Sequence, residues 1–250
     1  MAFLKKTNNQ LRLFNRKMKF YYSVNWTKTL YFNFKKFPFE TAKQLPVFFY
    51  GKVKLKSISG QIIINAPVRR GMIGFGQSYE LTALSKGTAV FLLEGTIIFN
   101  GHVQIGKDYT VYVLKDGILS MGNMSSLGSN GKIICYKKIN VGNFARIGYE
   151  SQLLDTNAHQ MYNTKTGEKY PLFTPIVVGN YNNISNRVTI LAGAKTPDYC
   201  TIGSNSLCSR DYLSLGINVM IGGVPAELIK TDISRDWDGE SEKLIKWCVI

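Results

Sequence analysis

The stretch Val141-Gly142-Asn143-Phe144-Ala145-Arg146-Ile147-Gly148-Tyr149-Glu150-Ser151-Gln152-Leu153 carries an aliphatic side chain at every sixth residue, and glycine follows two of the three. The spacing extends in both directions. Upstream run Leu93, Phe99, Ile105, Val111, and then Met121, Leu127, Ile133, Ile139. Downstream run Val178, Ile184, Ile190, Thr196, Ile202, Cys208. A period of six fits neither a helix, which repeats every 3.6 residues, nor an alternating strand, which repeats every two. It fits a short strand followed by a corner. The aliphatic residue fills an interior, and the Gly, Asn or Ser after it supplies the positive φ that a corner demands. Asn123, Asn130, Asn143, Asn180, Asn186 and Asn205 are candidate corner residues. Three units make a triangular coil of about 18 residues, and stacked coils bury a continuous aliphatic column. An ordinary β-sandwich would place its strands 8–12 residues apart, so the expected fold is an all-β parallel β-helix.

Three segments lack the period. Residues 1–57 form an expected N-terminal α+β cap, with a short amphipathic helix within Lys28–Ala42. Residues 58–230 hold the β-helix, from which 160–177 is expected to extrude as a loop. Residues 231–250 are expected to form a C-terminal helix, capped by Asp236 or Asp238, with Leu244, Ile245 and Trp247 on its apolar side.

The net charge of +15 is concentrated at the front. Residues 1–60 hold 13 Lys/Arg and a single acid, Glu40, whereas the remaining 190 residues are nearly balanced. The same front is crowded with Phe, Tyr and Trp. It reads first as a cap over the open end of the β-helix, and second as a surface for anionic lipid, where each cation contributes about 1 kcal/mol. Nucleic-acid binding, which the same composition permits, is a distant third and is not expected. The four cysteines form no Cys-x-x-Cys pair, which excludes a zinc knuckle or thioredoxin-type motif. They read as reduced cytosolic thiols. No secretory signal or spanning segment is evident, so the expected location is cytoplasmic.

Three passages resemble the bacterial hexapeptide-repeat acyltransferases, in particular the O-acetyltransferases of capsular and other surface polysaccharides. Ile147-Gly148-Tyr149 followed by Leu154-Asp155-Thr156-Asn157-Ala158-His159 is similar to their catalytic segment. Val178-Gly179-Asn180 through Ile190-Leu191-Ala192-Gly193 resembles their donor-binding coil, and Gly223-Val224-Pro225-Ala226 looks like the segment that ends the β-helix. The chain departs from the pattern at Asn183-Ile184-Ser185, where Trp-Ile-Gly is common, and at Asn157, where Asp is common. The resemblance implies a left-handed coil and a homotrimer. It also implies acetyl-CoA as co-substrate and a saccharide acceptor, lipid-linked in some settings, which would place the enzyme at the inner face of the membrane.

Acyl transfer from a thioester needs a base for the acceptor hydroxyl and donors for the oxyanion. Of the two histidines, His159 lies in the motif and is the candidate general base, while His102 reads as structural. Asp155 either orients that ring or serves a corner turn, both readings being open. By resemblance, a backbone N–H at Asn186 would meet the oxyanion. Ser185, Gly193, Ala194 and Lys195 would line the CoA arm, and Lys195 and Arg210 are candidates for its phosphates. Tyr149 and Asn157 are candidate acceptor contacts. Two histidines cannot supply the three ligands of a β-helix carbonic anhydrase, and no metal is expected. A cysteine acyl-enzyme is disfavoured because no thiol neighbours a histidine. The rival from another class is a non-catalytic β-helix scaffold or glycan-binding protein.

Overall fold

In the computed structural model, which describes residues 18, 21–78, 80 and 87–248, the chain winds into a left-handed parallel β-helix. Its three faces are sheets of nine, seven and five strands. One face stacks Val47–Phe49, Ile73–Phe75, Val103–Ile105, Ser125–Leu127, Arg146–Ile147, Asn183–Ile184 and Thr201–Ile202 in parallel. The second face includes Thr110–Val113, Lys132–Cys135, Gln152–Leu154 and Thr189–Leu191, and the third Ile118–Met121, Lys138–Val141 and Ile176–Val178. Glu227–Lys230 turns back antiparallel on Met220–Gly222 and ends the stack.

All seventeen residues of the six-residue registers are buried, from Leu93 to Cys208. Thr196, the one polar side chain among them, donates its hydroxyl to Asn182 Oδ1 at 2.6 Å and accepts the Gly179 N–H at 3.1 Å. The registers break because corners differ in length. Ile105 stacks on Leu127 and Leu127 on Ile147, steps longer than 18 residues, while Ile184 to Ile202 keeps the 18-residue coil. At the N-terminal end the column is aromatic: Phe49 stacks on Phe75 at 5.2 Å, and both pack against Phe91.

The positive φ does not fall where the sequence reading puts it. Asn130 and Asn205 are left-handed, but at the other corners the strained residue comes one later: Met124, Phe144, Tyr181 and Arg187, with φ between 53° and 60°. The glycines before these asparagines serve close approach instead. A Cβ on Gly142 would lie 2.6 Å from the backbone of Gly179 in the next coil. Asn123, Asn143 and Asn180 have a different task. Their side-chain oxygens accept the N–H groups of His102, Asn123 and Asn143 respectively at 2.8–2.9 Å, and Asp198 accepts that of Asn180 at 2.7 Å. The corner is thereby hydrogen-bonded coil to coil. Beside it the rings of Phe144, Tyr181 and Tyr199 stack 5.1 and 4.8 Å apart.

The first coil begins at Val47, ahead of the residue-58 boundary expected from the period. Helix α1 (Trp26–Lys36), with α2 (Phe39–Ala42) after it, covers the open end of the column. Phe32 plugs it, meeting Phe49 edge-on at 5.1 Å. Thr29 Oγ1 accepts the Phe49 N–H, while Asn33 accepts from Val47 N–H and donates to Val47 O, so the free edge of the first strand is paired. Helix α3 (Trp237–Cys248) closes a corner near the other end, capped by Asp236, which accepts the Gly239 N–H. It docks through Trp237, which sits against Tyr181 at 5.7 Å, rather than through Ile245, which is exposed. The Trp247 side chain lies outside the described residues.

Gly142→Ala should lower stability by about 1–3 kcal/mol, the usual cost of forcing a methyl group into a packed site. Chemical denaturation of the purified variant checks this, and an unchanged midpoint would contradict the close approach.

Candidate functional site

The coil that starts at Arg146–Ile147 does not run straight to its third face. After Gln152–Leu154 the chain leaves the stack and returns only at Ile176–Val178. The excursion is anchored by bridges between Thr156 and Phe173 and between Tyr162 and Lys169. It departs earlier than the expected 160, and this early departure places His159. A six-residue count from Leu153 would point position 159 inward. Because the coil is abandoned at Asp155, His159 stands exposed on the excursion instead.

The turn that carries His159 is tight. Its N–H donates to Asn157 O at 2.7 Å, a γ-turn centred on Ala158 with φ of 60°. Such a turn is rare and strained, and strain of this kind collects at functional sites. Thr156 braces it: its hydroxyl accepts the Ala158 N–H at 3.0 Å and donates to Leu172 O at 3.1 Å. Asn157 is exposed beside it.

Asp155 takes the turn-building role of the two readings left open above. It is fully buried, and its carboxylate accepts the N–H groups of Tyr136, Lys137 and Lys138 at 2.7–2.8 Å. Those groups sit where the coil below turns its corner, and a neighbouring coil would normally offer them carbonyls. The excursion removes that coil, and the carboxylate replaces it. No hydrogen bond joins Asp155 to His159 among the described residues, so the strained turn and the Thr156 brace set where the His159 backbone stands.

The same corner, one coil on, carries Gly193, Ala194 and Lys195. Gly193 is left-handed, with φ of 84°, and its N–H donates to Thr174 O at the root of the excursion. Ala194 is buried. Lys195 Nζ pairs with Asp211 at 2.8 Å, a contact that holds the Asp211 carboxyl below the usual range, and Arg210 pairs with Glu227 while lying over the Tyr212 ring. Both candidate phosphate ligands therefore already have acidic partners. These pairs are exposed and of the kind worth about 0–1 kcal/mol, so a phosphate could replace either carboxylate at small cost. Sequence reasoning missed Tyr136 and Phe173, whose rings stack at 5.4 Å and flank the excursion. Their pairing crosses a gap in the six-residue period, which gives no local signal.

Tyr149, Ser185 and Asn186 lie elsewhere. They occupy the corner between the first and second faces, whereas His159 and Gly193 lie after the second face. At roughly 3.3 Å per residue and six residues per face, adjacent corners are separated by about 15–20 Å. The Asn186 N–H has no acceptor among the described residues, and the Asn186 side chain accepts from the Ser204 hydroxyl at 2.7 Å. One copy of the chain therefore holds an exposed imidazole on one corner and an open backbone donor on the next.

The three described thiols are unsuited to nucleophilic catalysis. Cys135, Cys200 and Cys208 are buried in the column, which pushes each pKa up to about 12. Among the described residues no group of three His, Cys, Asp or Glu side chains is placed to hold a metal ion, and no helix is long and apolar enough to cross a membrane.

No family model matches the chain. The polysialic acid O-acetyltransferase of Neisseria meningitidis is 23% identical over 146 residues, 52% of this chain and 67% of that protein. The crystal structure of the polySia-specific acetyltransferase NeuO superposes with a TM-score of 0.52 at 17% identity, covering 76% of this chain and 78% of that one. The polysialic acid O-acetyltransferase OatWY gives a TM-score of 0.46 at 18% identity, covering 76% of each chain. The fold is that of a polysaccharide O-acetyltransferase.

Two measurements test this account of the site. Asp155→Ala strands three N–H groups and should cost about 3 kcal/mol or more, whereas His159→Ala should leave the melting temperature within error. In a Cys248→Ser background, a thiol reagent at pH 8 should label none of the three remaining cysteines until denaturant is added, since about one in ten thousand thiols is ionised there. Rapid native labelling would place a thiol at the surface.

Proposed function

We propose that this chain, a hexapeptide-repeat β-helix of the polysaccharide O-acetyltransferase type, transfers an acetyl group from acetyl-CoA to a sugar hydroxyl of a surface polysaccharide. The observation that carries the reading is the placement of His159. In a chain with two histidines, one is buried and the other is held in solvent by a strained turn, on the corner shared with Gly193 and Lys195. An acidic glycan is the acceptor class we favour, because the named relative acts on polysialic acid.

In this reaction His159 takes the proton from the acceptor hydroxyl as its oxygen attacks the thioester carbonyl. The ring nitrogen of a neutral imidazole carries the lone pair that accepts this proton. The tetrahedral oxyanion needs a donor, and the free N–H of Asn186 is the candidate. As the C–S bond breaks, the imidazolium returns the proton to the departing thiolate. Lys195 and Arg210 would exchange their carboxylate partners for phosphates of the donor, Ser185 and Ala194 would border its arm, and Tyr149 and Asn157 would touch the acceptor. Because the base and the oxyanion donor sit on adjacent corners, the set closes only between copies, with His159 of one facing the Asn186 corner of another. A homotrimer completes three such clefts. The unpaired thiols fit a reducing compartment, so we place the enzyme in the cytoplasm.

Release of CoA thiol from acetyl-CoA, with polysialic acid and neutral glycans as acceptors, tests the reading. His159→Ala should lose at least a hundredfold in kcat, within the range that a general base supplies. Equal turnover in the variant would move the base elsewhere. A CoA-stabilised protein with no turnover on any glycan would favour the scaffold. Sedimentation should give a trimer, and a monomer of full activity would refute the shared cleft.

A further inference from the structure

Helix α1 closes the column with its less apolar side. Its inward residues are Thr29, Phe32 and Asn33, while Leu30, Tyr31 and Phe34 project away from the column, roughly opposite. These outward side chains are 43%, 54% and 50% exposed, and Phe39 on α2 is 66% exposed. Tyr21 and Tyr22 add two more exposed rings just before the helix. Apolar side chains scattered singly on a surface need no explanation, but a contiguous patch marks a docking site.

Cations border the patch: Lys43 Nζ lies 6.0 Å from the centre of the Phe39 ring, and Lys28 and Lys56 share a groove with Tyr31. Lys28, Lys35 and Lys36 lie on α1, Lys43 follows α2, and Lys52, Lys54 and Lys56 lie in the first coil. Glu40, the one acid in residues 1–60, pairs with Lys43. Lys36 is turned inward to the carbonyls of Ile58 and Gly60, and Lys56 donates to the Tyr112 hydroxyl. A groove of about 500 Å³ opens between the helix and the first coil, lined by Lys28, Tyr31, Leu55, Lys56 and Ser57. It combines an apolar wall with two ammonium groups and a hydroxyl, the chemistry of a phosphate-bearing headgroup above an acyl chain.

We infer that this end of the β-helix docks on an anionic lipid bilayer, with Leu30, Tyr31, Phe34 and Phe39 entering the interface and the surrounding lysines meeting headgroups. Charge complementarity chooses this occupant. A second copy would bring an equally basic face against this one, and that pairing is repulsive. Apolar side chains at the centre with cations around them match the layering of a membrane surface, where apolar burial and anionic attraction add.

Docking also sets a height. The coil that carries the excursion is four steps from the coil of Val47. At ~4.8 Å per step plus a helix diameter of ~10 Å, His159 stands about 30 Å above the lipid. An acceptor still attached to a lipid would be reached several sugars out from its anchor, not at its first residue. That corollary rests on the acetyltransferase reading, whereas the docking itself does not.

Co-sedimentation of the full chain with vesicles tests docking without reference to activity. Vesicles of phosphatidylcholine with phosphatidylglycerol should carry the protein down at low salt and release it at high salt, and phosphatidylcholine alone should not retain it. Lys28→Gln and Lys56→Gln should each reduce partitioning about fivefold, and the double variant Phe34→Ser/Phe39→Ser at least tenfold. Sedimentation that is independent of lipid charge, or unchanged in both sets of variants, would overturn the inference. So would a double Phe variant that binds vesicles normally but changes its oligomeric mass, which would assign the patch to another copy. Displacement by soluble acidic glycan with the Phe variant unaffected would assign the charges to the acceptor instead.

Discussion

The backbone N–H groups buried along a stacked coil are met mainly by oxygens of the neighbouring coil, and where the chain leaves the stack a side chain supplies the missing acceptor. A buried N–H without a partner costs about as much as a large part of the molecule's net stability. This requirement accounts for most of the polar side chains that lie inside or along the column. Asn123, Asn143, Asn180 and Asp198 pass a carbonyl or carboxylate oxygen from coil to coil along one corner. Thr29 and Asn33 do the same for the exposed edge of the first strand. Asp155 does it where the excursion begins.

The candidate site follows from that last substitution. The column tolerates a break only because one carboxylate replaces the backbone of a missing corner. The break allows the chain to carry an imidazole out of the stack, and the strained turn at Ala158 fixes where it stands. Asp155 thus acts on the candidate site through architecture, by accepting the N–H groups of the corner below. The donor side is built by ordinary coils, with Gly193 hydrogen-bonded to the root of the same excursion. His159 and the Asn186 N–H, the proposed base and oxyanion donor, are kept a face apart in each copy. Assembly and chemistry are therefore coupled in the proposed enzyme.

Some of this was legible in residues alone. Burial in a column leaves no choice of polarity, so the interior ladder wrote itself into the sequence at a spacing of six, and even Thr196 and Cys208 fell on it. The helices at both ends were legible from a loss of the period, joined at the C-terminal end by the capping aspartates. Corner geometry was less so. Asparagine announces a turn, but whether it takes the positive φ or lends its side-chain oxygen depends on the coil below, and at Asn143 the strained position passes to Phe144. Asp155 illustrates the same limit: a carboxylate four residues before a histidine has the look of an orienting partner until the N–H groups of Tyr136, Lys137 and Lys138 are seen around it.

The sequence by itself determined the repeating coil, the polarity of the column, the position of the one histidine in a catalytic-type motif and the basic, aromatic front, because each depends on residue type at a fixed spacing. Only the tertiary structure decided which N–H groups lacked a neighbour, which corner each site residue occupies and which side of α1 faces outward. Those are properties of stacking: they depend on what the adjacent coil offers, and that coil is 18 to 37 residues away along the chain.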